Sequence, residues 1–250
     1  MITVERAGEV ALLRLEQGKV NALDVEVLDE LVGLVDEMAD DDETRAVVLT
    51  GAGKTFSAGV DLRRILDGGP DYATALVPAI ARGIASLFTM AKPVVTAVNG
   101  VAIAGGCILA CAGDVRLIAA NARIGATELK VGVPFPQAAL EVLRAACGER
   151  TEEAVYSGTL YDAPGAVAIG LAHEVVDPDE LVGRALAAAS ELAQVPADVF
   201  RLTKAQLRRP AVERLLDEPV DEEVARIWAR PATAAAIRAS LERTTGSSGA

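Results

Sequence analysis

Lys92 to Leu117 read KPVVTAVNGVAIAGGCILACAGDVRL, and this stretch decides the fold. PVVTAVN is an apolar run of strand length, and Asn99-Gly100 marks a turn. Gly105-Gly106 then open a tightly packed helical run, GGCILACAGD, and VRLIAA returns to strand. Strand, helix and strand in that order predict a right-handed crossover and a parallel sheet in an α/β fold. A helix N-terminus offers unpaired N–H groups and the positive end of a dipole, so it suits a developing anion. Gly105 would let a ligand approach that backbone closely, although close helix packing explains the glycines equally well when the stretch is taken alone.

Upstream, TGAGKTFSAGVDL (Thr50–Leu62) follows the apolar strand RAVVLT. Its GAGKT looks like the end of a triphosphate loop, G-x-x-x-x-G-K-[ST]. The opening glycine of that motif would fall at Val48, inside the strand, and SAG interrupts the helix that should follow. Gly51 and Gly53 fit a turn at the carboxyl end of a strand. Gly59 belongs to a second small-residue turn, SAGVDL, and ligands of α/β folds bind at such strand ends.

Further out, ITVERAGEVALLRLE reads as two short strands around Gly8. Val27, Leu28, Leu31, Leu34, Val35 and Met38 recur at helical spacing behind Asp24, a plausible N-cap. RRILDGGPDYATALVPAI reads as a loop leading into a helix that ends near AKP. Helical patterns dominate from about Ala138 onward. The expected organisation is an α/β core over residues 1–197, a helical segment over 198–243 and a disordered tail over 244–250.

A formal net charge of -12 disfavours binding to nucleic acid or to an anionic membrane, which needs a basic face. No basic start precedes an apolar leader, and no continuous apolar run reaches the ~20 residues that span a bilayer. The expectation is a cytoplasmic protein. Cys107, Cys111 and Cys147 form no C-x-x-C pair and share the chain with one histidine, His173, so neither a disulfide framework nor a zinc site is expected. Cys107 and Cys111, one helical turn apart, should pack as small hydrophobes. Ser57 has no histidine nearby in the sequence to make a triad.

Taken in series, NALDVEVLDEL, VVLTGAGKTFSAGVDL, KPVVTAVNGVAIAGGCILACAGDVRL and GLAHEVVDPDEL resemble the crotonase superfamily of enoyl-CoA hydratases and isomerases, from about residue 2 to 210. The resemblance implies an α/β crotonase (ClpP-like) fold, a spiral of ββα units with a helical C-terminal trimerisation segment. It implies a homotrimer or dimer of trimers, an acyl-CoA thioester substrate, and no cofactor or metal beyond the CoA of the substrate. It places one oxyanion-hole N–H on Val60, after Ala58-Gly59, and the other on Gly105. Preorganised donors of this kind stabilise charge on the thioester oxygen, and losing one costs roughly 3 kcal/mol. Ala58, Asp61 and Leu62 match positions lining the CoA pocket, and Arg63 or Arg64 are candidates for the CoA phosphates.

Hydratases of this family carry two glutamates, the first directly after G-G-x. That position here is Ile108, which would make its side of the cavity apolar. The second lies twenty positions further on and is Glu128, in GATELKVGVPFP. Hydration must activate a water and deliver a proton to C2, work shared by two carboxylates. Shifting a double bond needs one base, and a dry pocket should raise its pKa toward the useful range. The Δ3-Δ2-enoyl-CoA isomerases resemble the single-glutamate arrangement, and VPFPQAAL replaces the glycine-rich turn usual in hydratases. The sequence therefore predicts an isomerase with Glu128 as its base. The alternatives are a hydratase or other enolate enzyme, and a catalytically silent acyl-CoA binder.

Overall fold

The computed structural model describes residues 1–215 and 218–246. β1 (Ile2–Ala7) and β2 (Val10–Leu15) form an antiparallel hairpin about Gly8. α1 (Val25–Asp40) follows, and Asp24 caps it by accepting the Val27 N–H at 2.8 Å. Three turns of a spiral come next. Each lays one strand in a large sheet, one strand in a small sheet, and then a helix.

The first turn is β3 (Ala46–Gly51), β4 (Thr55–Ser57) and α2 (Leu62–Thr89). The second is β5 (Val94–Val98), β6 (Val101–Ile103) and α3 (Gly105–Cys111). The third is β7 (Val115–Ala119), β8 (Arg123–Gly125) and the short α4 (Glu128–Val131). α5 (Gln137–Cys147), α6 (Thr151–Ser157), β9 (Tyr161–Asp162), α7 (Ala163–Ile169), β10 (Glu174–Val176) and α8 (Leu181–Ala193) complete the core.

The large sheet runs β1-β2-β3-β5-β7-β10 and is parallel from β2 onward; the small one runs β4-β6-β8-β9. β3 and β5 are buried along their whole length, which suits their Val-rich sequences to a sheet covered on both faces. The ββα spiral expected from the resemblance is thus the observed architecture.

The stretch RRILDGGPDYATALVPAI, which reads as a loop leading into a helix, lies wholly within α2. Asp61 starts α2 by accepting the N–H groups of Arg63 and Arg64 at 3.0 and 3.1 Å, and the helix kinks at Gly69, where φ is 66°. Although no continuous apolar run is long enough, α2 as a whole could cross a bilayer by length and composition. Its apolar side chains, Leu76, Ile80, Ile84 and Leu87 among them, are buried, as expected of a core helix.

The C-terminal segment is helical from α9 (Ala197–Val212) through α10 (Glu218–Trp228) and α11 (Pro231–Gly246). α9 is pinned to the sheet through Asp114 at the head of β7, which takes Lys204 at 2.7 Å and Arg208 at 2.9 Å. α10 and α11 fold back onto α2. Of the tail over 244–250, residues 244–246 end α11 and 247–250 lie outside the described residues.

Candidate active site

The two glycine loops meet. A parallel bridge joins Leu23 to Val60. It uses the Leu23 N–H, donated to Gly59 O at 2.8 Å, and the Asp61 N–H, donated to Leu23 O at 2.9 Å. The alternation of a parallel pairing leaves the Val60 N–H outside the bridge. Gly59 sits at φ 78°, and a Cβ there would fall 2.7 Å from Ile103 O. A Cβ on Gly106 would fall 2.3 Å from Ser57 O. Only hydrogen at both positions lets the β4–α2 loop lie against the start of α3. Ser57 braces the loop, donating to Asn21 O at 2.7 Å and accepting the Gly59 N–H at 3.1 Å.

Gly105 is the first residue of α3, so its N–H has no acceptor within the helix. The preceding Ala104 holds φ 50° and ψ -123°, a conformation costly for a residue with a Cβ. That backbone angle sets the direction of the Gly105 N–H.

A cavity of roughly 90 Å³ lies where the loops meet. Ala58, Val60 and Leu62 line it from the first loop, Gly105 and Ile108 from the second, and Thr127 and Glu128 from the third turn of the spiral. Six of the seven expected site residues are therefore brought together. Among the described residues Glu128 is the only ionisable side chain in the lining, and Ile108 is fully buried. Glu128 is 7% exposed, and its Oε2 has no hydrogen-bond partner. Burial without a cation pushes its carboxyl up to about 8.

The seventh, Asp61, does not line the cavity; its carboxylate caps α2. Arg64 is also committed elsewhere, to Asp24 at 2.6 Å, to Glu26, and over the Tyr72 ring. Arg63 stays exposed. His173 lies away from the cavity: its Nδ1 accepts the Arg116 N–H at 3.2 Å, and burial holds its pKa down to about 4. The lining also includes residues that sequence reasoning missed: Ile80 and Ile84 of α2, Val131, Val133, Pro136 and Ala139 around the start of α5, and Trp228 of α10. The one available signal for Trp228 is that it is the only tryptophan of an aromatic-poor chain.

Two backbone loops at an apolar cavity, set on a spiral of ββα units, define a crotonase-type protein. The enoyl-CoA hydratase/isomerase family pattern matches residues 5–241. A putative enoyl-CoA hydratase of Thermus thermophilus is 35% identical over 208 residues, covering 82% of each chain. Human mitochondrial enoyl-CoA delta isomerase 1 is 29% identical over 222 residues, 87% of this chain and 74% of that one. The crystal structure of human mitochondrial Δ3-Δ2-enoyl-CoA isomerase superposes with a TM-score of 0.93 at 27% identity, covering 99% of both chains. The chain belongs to the enoyl-CoA hydratase/isomerase family of the crotonase superfamily. Its relatives carry both names, hydratase and isomerase.

Proposed function

We propose that this family member moves the double bond of a 3-enoyl-CoA to give trans-2-enoyl-CoA, with Glu128 as the single base. The observation that supports it most is Glu128 itself: a buried carboxyl in an apolar cavity, its Oε2 without a hydrogen-bond partner, with Ile108 at the position where the family resemblance implies a hydratase's other glutamate. In this reading the Glu128 carboxylate takes a proton from C2. The C2–H bond pair delocalises into a dienolate, and its charge settles on the thioester oxygen between the N–H groups of Val60 and Gly105. The proton then returns to C4, so that C2=C3 replaces C3=C4 and no atom is gained or lost. Ala58, Leu62 and Ile108 exclude water from the intermediate. A pKa near 8 makes Glu128 a stronger base than an ordinary carboxylate while leaving part of it ionised at neutral pH.

The same reading carries a homotrimer or dimer of trimers built on the C-terminal helices, an assembly supported by exposed Val199, Leu202 and Leu207 on α9. It requires no cofactor beyond the CoA of the substrate. The hydratase names of several relatives favour the rival reaction. Turnover of 3-hexenoyl-CoA against hydration of crotonyl-CoA separates the two. Isomerisation should exceed hydration by at least roughly 10², the worth of a missing acid–base group. Comparable rates would overturn the isomerase reading, and acyl-CoA binding with neither activity would favour a silent binder.

A further inference from the structure

Resting on that acyl-CoA reading, we infer that Trp228 is the chain-length stop of the acyl cavity, restricting the enzyme to short acyl thioesters. The indole is 4% exposed and lines the inner cavity, and its Nε1 donates to Pro134 O at 2.9 Å. At the other end of α10, Asp221 Oδ1 accepts the Gln137 N–H at 2.8 Å. Both ends of the helix are therefore tied to the same segment, 134–137, which carries two prolines. A wall held in this way is expected to resist pressure from a bound tail.

On the far side of that wall is a groove of roughly 830 Å³, mostly apolar but with Arg144, Glu149, Glu152 and Glu223 in its lining. Consecutive residues face opposite ways across it. Val133 and Pro136 line the inner cavity, Pro134 and Phe135 the outer groove; Trp228 lines the inner, Ile227 the outer. The inner space of roughly 90 Å³ is well below the about 150 Å³ that accommodates benzene. It therefore takes only a short acyl chain, and a longer tail must displace the indole. With the indole removed, the inner cavity would gain the volume it occupies.

The test uses saturated butyryl-, hexanoyl- and dodecanoyl-CoA, which bind without reacting. Because Trp228 is the chain's one tryptophan, wild-type emission reports directly on the wall. Butyryl- and hexanoyl-CoA should change that emission where CoA alone does not, and dodecanoyl-CoA should bind at least about tenfold more weakly than hexanoyl-CoA. Calorimetry on Trp228→Leu and Trp228→Ala should show the dodecanoyl-to-hexanoyl affinity ratio rising by about tenfold, whereas Trp228→Phe keeps the limit. Equal binding of both lengths by the wild type, or an unchanged ratio in folded Trp228→Leu, overturns the inference. Should the truncations not fold, the wild-type series decides alone. Length-ordered binding without turnover of any 3-enoyl-CoA would sustain the stop and sink the isomerase reading; no binding of any thioester would sink both.

Discussion

Glu128 and Glu141 are both buried, and the protein treats them in opposite ways. Glu141, on α5, is fully enclosed, yet its carboxylate accepts from Gln137 at 3.1 Å, from Arg214 at 2.8 Å and from Arg144. Glu128 lines an apolar cavity with Oε2 unpartnered, and burial raises its pKa. The difference lies in the company each keeps. Glu141, which meets two arginines, ties α5 to the segment after α9. Glu128, whose cavity supplies no cation among the described residues, holds its proton more tightly, as the proposed base requires. Burial by itself therefore identifies neither role.

Four experiments break or sharpen that contrast. The largest effect expected is on turnover: Glu128→Gln should lower isomerisation of 3-hexenoyl-CoA by at least about 10²–10⁴-fold. In the wild type, kcat/KM for the same substrate should rise with pH and level off above about 8, because the reacting form is the carboxylate.

Second, Arg144→Met combined with Arg214→Met would strand Glu141 much as Glu128 is stranded. The cost in urea unfolding at pH 7 should be about 3–5 kcal/mol, because a buried carboxylate is left without its cations.

Third, Glu128→Gln should stabilise the fold in alkaline solution. The folded pKa of Glu128 lies above its unfolded value, so its burial is costless below about 4.5 and stability is lost as pH rises toward 8. The variant's advantage should therefore grow by about 1.4 kcal/mol per pH unit across that window and be absent at pH 4, as read from unfolding midpoints.

The smallest effect concerns the strained residue beside the site. Ala104→Gly relieves the positive φ and should raise stability by about 1 kcal/mol, measured as a modest increase in Tm.

Much of this contrast is legible in the sequence. The apolar runs of β3 and β5 and the glycines at 59 and 105 are local signals, and the twenty-position offset from Ile108 to Glu128 needs only counting. Reading RRILDGGPDYATALVPAI as a loop leading into a helix misses the start of α2, because the cap at Asp61 competes with Gly68-Gly69-Pro70 and moves the disruption to a kink. Asp61 looks like a ligand-pocket residue by position, but two backbone N–H groups claim its carboxylate.

By itself, the sequence determined the strands β3, β5 and β7, the two glycine loops, and the twenty-position offset from Ile108 to Glu128, to which the family resemblance gave a meaning. Those features depend on periodicity and spacing along the chain, which survive without coordinates. Only the tertiary structure decided that, among the described residues, Glu128 shares its cavity with no cation, that Glu141 meets Arg144 and Arg214, and that Trp228 and Val60 line one cavity. Each of those facts is a contact, or a missing contact, between side chains on different elements. Burial and partnership set the chemistry of a carboxyl, and they exist only once the chain has folded.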